Sequence, residues 1–263
     1  MSDEDKKNKI SPVLSDTRSL ATRSTGLVKR GLELISTVEL KEKVLERDAD
    51  LYFDLGLAQY EQGLFKEAIK SYQHAIKLKP DEAKFYERLG WTQYRFRLLK
   101  EAIESYKQAI KLEPNDADFY DMLGSVQSRL GLFKEAIESY QQAVKLNPDD
   151  AHAYYNLGLA QHELGLYEEA IESNKKAIEL NPGDAGAYYN LGFAQIRLGL
   201  YEEAIESYKK AIELNLGDAV AYYNLGYAQI KLELYKEALE QHDILKNLNQ
   251  DLANKLKSLL PLD

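Results

Sequence analysis

The chain has no cysteine. Disulfides, thiolate zinc sites and a cysteine nucleophile are therefore excluded. It has no apolar run of about 18 residues, so the sequence predicts no helix that spans a membrane. The first nine residues, Met1 to Lys9, are polar and lack the apolar stretch of a secretory signal. Positive charge is in deficit: net charge is −9 and the pI about 5.2. That balance argues against a nucleic-acid partner, which would call for a basic surface. The four histidines (His74, His152, His162, His242) show no metal-ligand spacing, and no glycine-rich phosphate loop is present. His152 and His162 stand ten apart on one helix and read as solvated side chains rather than as a shared ligand set. What is there suits a folded domain: 44% apolar and 29% charged residues in a chain of 263. The expectation is a soluble, cytoplasmic protein without cofactor or metal.

The dominant feature is a repeat of 34 residues. Leu-Gly recurs at Leu55-Gly56, Leu89-Gly90, Leu123-Gly124, Leu157-Gly158, Leu191-Gly192 and Leu225-Gly226. Tyrosine precedes each leucine by three residues, and alanine follows each glycine by twelve. Pro80, Pro114, Pro148 and Pro182 close the first four units, where Leu216 and Gln250 stand in the last two. Within each unit, apolar and small residues recur at helical spacing over two stretches, A and B. A turn divides them at Gly63, Gly131, Gly165 and Gly199, with Arg97 and Glu233 in the same slot of units two and six. An acidic residue after each B stretch can cap the next helix.

This pattern resembles the tetratricopeptide repeat family over residues 49–252. The resemblance implies an all-α fold: a right-handed superhelical solenoid of antiparallel helix pairs. Its six units are 49–82, 83–116, 117–150, 151–184, 185–218 and 219–252. One departure is systematic. Three residues after the glycine, where the family often has tyrosine, stands glutamine: Gln59, Gln93, Gln127, Gln161, Gln195 and Gln229. Residues 1–26 read as a flexible tail. Residues 27–48 read as an amphipathic helix outside the repeat register, either a cap over unit one or a docking helix for another chain. Residues 253–263 read as the end of a C-terminal capping helix. The 48 and 11 residues outside the repeats leave no room for a catalytic domain, and paired carboxylates such as Glu168-Glu169 read as solvated surface. The expectation is no enzyme.

Comparison of the units indicates where function lies. Position 1 is the alanine that opens each unit. Units four and five match at 28 of 34 positions. Four of their six differences fall at positions 2, 9, 12 and 13, which share one stripe of helix A. In the resembled family that stripe faces a concave groove. The expected work is therefore non-covalent: an adaptor that holds an extended peptide or a helix of a protein partner in the groove. The candidate peptide-binding residues are Trp91, Tyr94, Tyr155, Asn156, Leu159, Tyr189, Asn190, Phe193, Arg197, Tyr223, Asn224, Tyr227 and Lys231. The row Asn156, Asn190 and Asn224 is similar to the asparagine ladder of O-linked N-acetylglucosamine transferases. It reads equally as a peptide-backbone ladder or as a common repeat residue. Lys84, Arg88, Arg95 and Arg129 are possible anion contacts, or are neutralised by neighbouring aspartates. Six leucines at position 16 (Leu64, Leu98, Leu132, Leu166, Leu200, Leu234) either pack across the A–B turn or form an apolar ridge. The ridge supports the alternative, a self-assembling homo-oligomeric scaffold.

Overall fold

The computed structural model describes residues 49–261. The tail assigned to residues 1–26 and the helix assigned to 27–48 lie outside the described residues. Among the described residues there are thirteen helices and no strands. They fall into two compact bodies that meet in sequence at Asn115 and Asp116.

The first body holds two helix pairs. Helices α1 (Ala49–Glu61) and α2 (Phe65–Leu78) form unit one, and α3 (Ala83–Arg95) and α4 (Leu99–Leu112) form unit two. The second body holds four pairs. These are α5 (Ala117–Arg129) with α6 (Phe133–Leu146), α7 (Ala151–Glu163) with α8 (Tyr167–Leu180), α9 (Ala185–Arg197) with α10 (Tyr201–Leu214), and α11 (Ala219–Lys231) with α12 (Tyr235–Leu248). A short α13 (Gln250–Lys257) follows. Every pair is one A helix and one B helix of a 34-residue unit.

The repeated residues explain the pairing. The position-8 glycine sits where a ring crosses from helix B. A Cβ on Gly56 would stand 2.6 Å from Tyr72, and one on Gly124 2.7 Å from Tyr140. No larger residue permits that approach. The systematic glutamine has a partner twelve residues on. Ser71, Ser105, Ser139, Ser173 and Ser207 each donate to the Oε1 of the glutamine on helix A of the same unit, at 2.6–2.7 Å. This bond clamps A to B inside five units. In unit six Gln241 replaces the serine and turns to the Glu237 carbonyl, leaving Gln229 Oε1 buried without a partner.

The turns follow from backbone geometry. Gly63, Gly131, Gly165 and Gly199 have φ of 75–76°, and the leucine that follows donates its N–H to the glutamine carbonyl five residues back. This is the Schellman closure, in which the second residue past the helix packs an apolar side chain back onto the last turn. The position-16 leucines occupy that place. Arg97 and Glu233 adopt the same left-handed conformation, at φ of 67° and 61°, without glycine's freedom. At the other end of each unit, Asp116, Asp150, Asp184 and Asp218 accept from backbone N–H groups of the next A helix. Glu82, one methylene longer, makes no such cap.

In the second body, α13 packs Leu252, Ala253 and Leu256 into the cluster formed by Ile205, Tyr208, Tyr222, Leu225 and Leu245. Leu256 Cδ2 lies where a Cβ on Gly226 would fall. That is the place a tyrosine ring takes in unit five against Gly192.

Candidate peptide-binding face

The stripe of positions 2, 5, 6, 9, 12 and 13 carries the contacts that join successive A helices within each body. In the second body α5, α7, α9 and α11 approach one another in turn. Their side chains bond across units: Asn156 Nδ2 donates to Asp121 Oδ1 at 3.1 Å, and Asn224 Nδ2 donates to the Tyr189 hydroxyl at 3.1 Å. Asn190 Nδ2 is buried and has no partner. Two amides of the predicted row thus spend a donor on the neighbouring unit, and each keeps its carbonyl oxygen.

The rest of the second-body stripe is a half-open apolar wall. Leu159 is 38% exposed and Val220 45%. Tyr155, Tyr189, Phe193, Ile196, Tyr223, Tyr227 and Ile230 are half-buried. Phe193 and the His162 ring meet at near right angles, 4.5 Å between centroids. Arg197 lies over the Tyr167 ring at 5.0 Å, and Lys231 over Tyr227 at 5.3 Å. Both cations are exposed and have no acidic partner among the described residues. A cation held over a ring stays available to an anionic guest. Burial holds the His162 imidazole below its usual pKa, with Glu163 opposing the shift and Arg197 adding to it.

The opposite end of that stripe is acidic. Asp121 is 5% exposed and takes His152 Nδ1 at 3.4 Å as well as Asn156. The bond to Asp121 raises the His152 pKa. Burial, then Asp116, Asp150 and Asp121, push the Asp118 carboxyl up. Residue types suggested solvated histidines; the structure gives each one a specific neighbour.

In the first body, Trp91 is half-buried and its indole N–H donates to the Tyr60 hydroxyl at 2.7 Å. Tyr94 stacks on Trp91 at 5.8 Å, and Arg95 covers the indole at 5.9 Å. The possible anion contacts are partly engaged. Lys84 pairs with Glu82 at 3.7 Å, and Arg88 with Glu87 at 3.2 Å. These acids are glutamates one or two residues away in sequence. Asp50 pairs with Lys79 at 2.8 Å, and this bond, with the nearby charge of Lys84, lowers its pKa. Arg129, in the second body, is exposed. Among the described residues no group of three or more His, Asp or Glu could hold a metal ion, and no helix is long and apolar enough to cross a membrane.

These features define an all-α repeat scaffold of the protein-interaction class. A tetratricopeptide repeat profile matches residues 46–117 and 122–185, and related repeat profiles match 105–138 and 185–217. The chain belongs to the tetratricopeptide repeat family. No curated protein sequence matches it. Among solved structures it is similar to MamA, with 34% identity over 65% of this chain and 93% of that chain, at a TM-score of 0.62. It is also similar to YrrB, described as a repeat protein with an unusual peptide-binding site. There the identity is 27% over 71% of this chain and 96% of YrrB, at a TM-score of 0.62. PilF of Pseudomonas aeruginosa shares the fold at 19% identity and a TM-score of 0.65, over 80% and 96% of the two chains.

Proposed function

We propose that the chain is a non-catalytic adaptor and that the A-helix stripe of the second body holds an extended peptide. The observation that carries this reading is the distribution of change. Units four and five keep their clamps, caps and turns and differ mainly at positions 2, 9, 12 and 13. Those positions hold half-buried or exposed side chains, of which Ile196 also packs against the core. Apolar rings supply the affinity, Arg197 and Lys231 favour an acidic residue in the guest, and the stripe amides pair with its backbone. YrrB, similar in fold, is described as having a peptide-binding site. The test is selection of phage-displayed peptides on the immobilised full chain. A Phe193→Ala/Tyr227→Ala variant is expected to lose the selected peptides at least tenfold with its helicity kept. Equal capture by the variant rejects the groove.

A second reading is self-assembly through exposed leucines. Leu132, Leu166, Leu200 and Leu234 repeat at one place in successive units of the second body, each at least 38% exposed, and Leu216 reaches 71%. Sedimentation over a concentration series separates the two, because an adaptor keeps one fixed mass.

A further inference from the structure

The last unit leaves open a face that the inner units close. Position 21 of helix B is isoleucine in the first five units, and each of Ile69, Ile103, Ile137, Ile171 and Ile205 is 7–9% exposed. Leu239 holds that position in unit six and is 47% exposed. Tyr235, one turn earlier at position 17, is exposed where its five counterparts are half-buried. What closes position 21 elsewhere is the next unit. Ile171 packs with Leu191, Ala194 and Leu198, which are positions 7, 10 and 14 of unit five.

Helix α13 supplies only the first part of such a cover. Asn249 caps it by accepting from the Leu252 N–H, and Leu256 follows that cap by seven residues, as Leu225 follows Asp218. Then α13 stops after eight residues, where each A helix runs for thirteen. Past its end lies a cavity of about 480 Å³, lined by Tyr235 and Leu239 of α12 and by Lys257, Ser258, Leu260 and Pro261. Leu234 and Leu259, next to lining residues in sequence, are exposed as well. Together these side chains offer roughly 300–400 Å² of apolar surface, as much as the largest patch on a typical monomer. Two charges flank Leu239 on α12: Lys236, three residues before it, and Glu240, one after. Asp243 and Lys246, further along, pair with each other at 2.8 Å. Lys236 and Glu240 are exposed and form no ion pair among the described residues.

We propose that this face joins two copies of the chain about a twofold axis at Leu239, with their α12 helices antiparallel. The open end of α12 continues the stacking interface that joins the units of the second body. A second copy is the occupant because the patch complements itself in shape and in charge. It carries a cavity and, beside it, exposed leucines of the kind that fill one. In an antiparallel pair, Lys236 of each copy faces a point about two residues, or about 3 Å along the axis, from Glu240 of the other. Opposite charges then meet at both rims, which sets the orientation. Parallel packing sets Lys236 against itself. The apolar core of two such patches, with its polar rim, reaches the low end of specific interfaces, about 1,200 Å². The contact is isologous and closes at two copies. None of its residues belongs to the A-helix stripe, so the pair keeps two grooves and can hold a guest at both.

The test is sedimentation equilibrium of the full chain from micromolar to submillimolar concentration. The expected result is a reversible monomer–dimer equilibrium that stops at two copies. Leu239→Arg is expected to weaken it at least tenfold with helicity unchanged, because that side chain is exposed in the single chain. Lys236→Glu and Glu240→Lys each set like charges across the axis, and each alone is expected to weaken association at least threefold. An equal mixture of those two variants is expected to regain it, since the mixed pair has opposite charges at both rims. The proposal is overturned if the full chain stays a monomer over that range or if Leu239→Arg associates undiminished. It is also overturned if the two charge variants associate no better mixed than apart. Growth beyond two copies that survives Leu239→Arg and is lost with Leu200→Arg overturns it too, and assigns association to the position-16 ridge. Peptide capture is expected to survive Leu239→Arg, so the dimer can fail while the groove stands.

Discussion

Units four and five are the most informative pair in the molecule. Their outer faces agree down to single ion pairs: Lys175–Glu172 and Lys176–Glu179 in one, Lys209–Glu206 and Lys210–Glu213 in the other. Their clamps, Ser173–Gln161 and Ser207–Gln195, have the same 2.7 Å length. Against that sameness the six differences are not scattered. Four line the inner stripe, and the fifth, Asn174 against Tyr208, lies directly behind it. The sixth, Pro182 against Leu216, is in the closing loop. The pair thus separates what holds a unit together from what faces a guest. It also shows one place where the scaffold departs from its own pattern, because Asn174 is a poor core residue.

The largest test moves that departure. Tyr208→Asn gives unit five the slot of unit four and removes a fully buried ring from the apolar cluster that α13 completes. The expected loss is about 3 kcal/mol, in the range for emptying a buried aromatic site, measured by urea unfolding. The reciprocal change, Asn174→Tyr, replaces a buried carboxamide whose Oδ1 has no partner by the ring that fills this slot in unit five, and is expected to gain about 1 kcal/mol. A loss on Asn174→Tyr would mean that unit four has repacked around asparagine and that no room for a ring remains. Extending the comparison to unit six gives a smaller effect. Glu233 holds the left-handed turn that Gly165 and Gly199 hold in units four and five. Glu233→Gly is expected to stabilise by about 1 kcal/mol, read from the same unfolding curves.

Much of this was legible in the residues. The 34-residue period, the helix pairs and the left-handed turns all follow from spacing and glycine placement, since those signals are local. The glutamine column was visible, but its serine partners were not. A bond between residues twelve apart depends on how two helices cross, which no single-helix pattern specifies. The stripe was read from unit comparison; in the second body most of its side chains are half-buried or exposed, while Asp121 is buried. Two of its asparagines proved to be bonded to neighbouring units, because side chains 35 apart meet only once the units stack. The same reason hid the Asp121–His152 contact. Asn174 was readable as a difference from unit five. That its Oδ1 is buried without a partner needed coordinates.

The smallest effect tests position 2, where unit four has His152 and unit five Gly186. His152 bonds Asp121, and the charges of Asp150 and Asp184 also favour its protonated form. Its folded pKa is therefore raised above the ordinary value of about 6.5. A raised histidine contributes stability that is complete below its unfolded pKa and is lost as pH rises through the folded one. The side chain is 66% exposed, so solvent screening keeps the contribution below about 1 kcal/mol. The measurement is the melting temperature of the wild type minus that of His152→Gly, at pH 5.5 and at pH 8. Subtraction removes the Asp118 titration, whose raised pKa also favours the folded state in acid. The difference is expected to shrink from the lower pH to the higher. If it is flat, the Asp121 contact contributes nothing through charge. Position 2 would then be a surface residue free to vary, and the division between a fixed scaffold and a recognising stripe would begin at position 5.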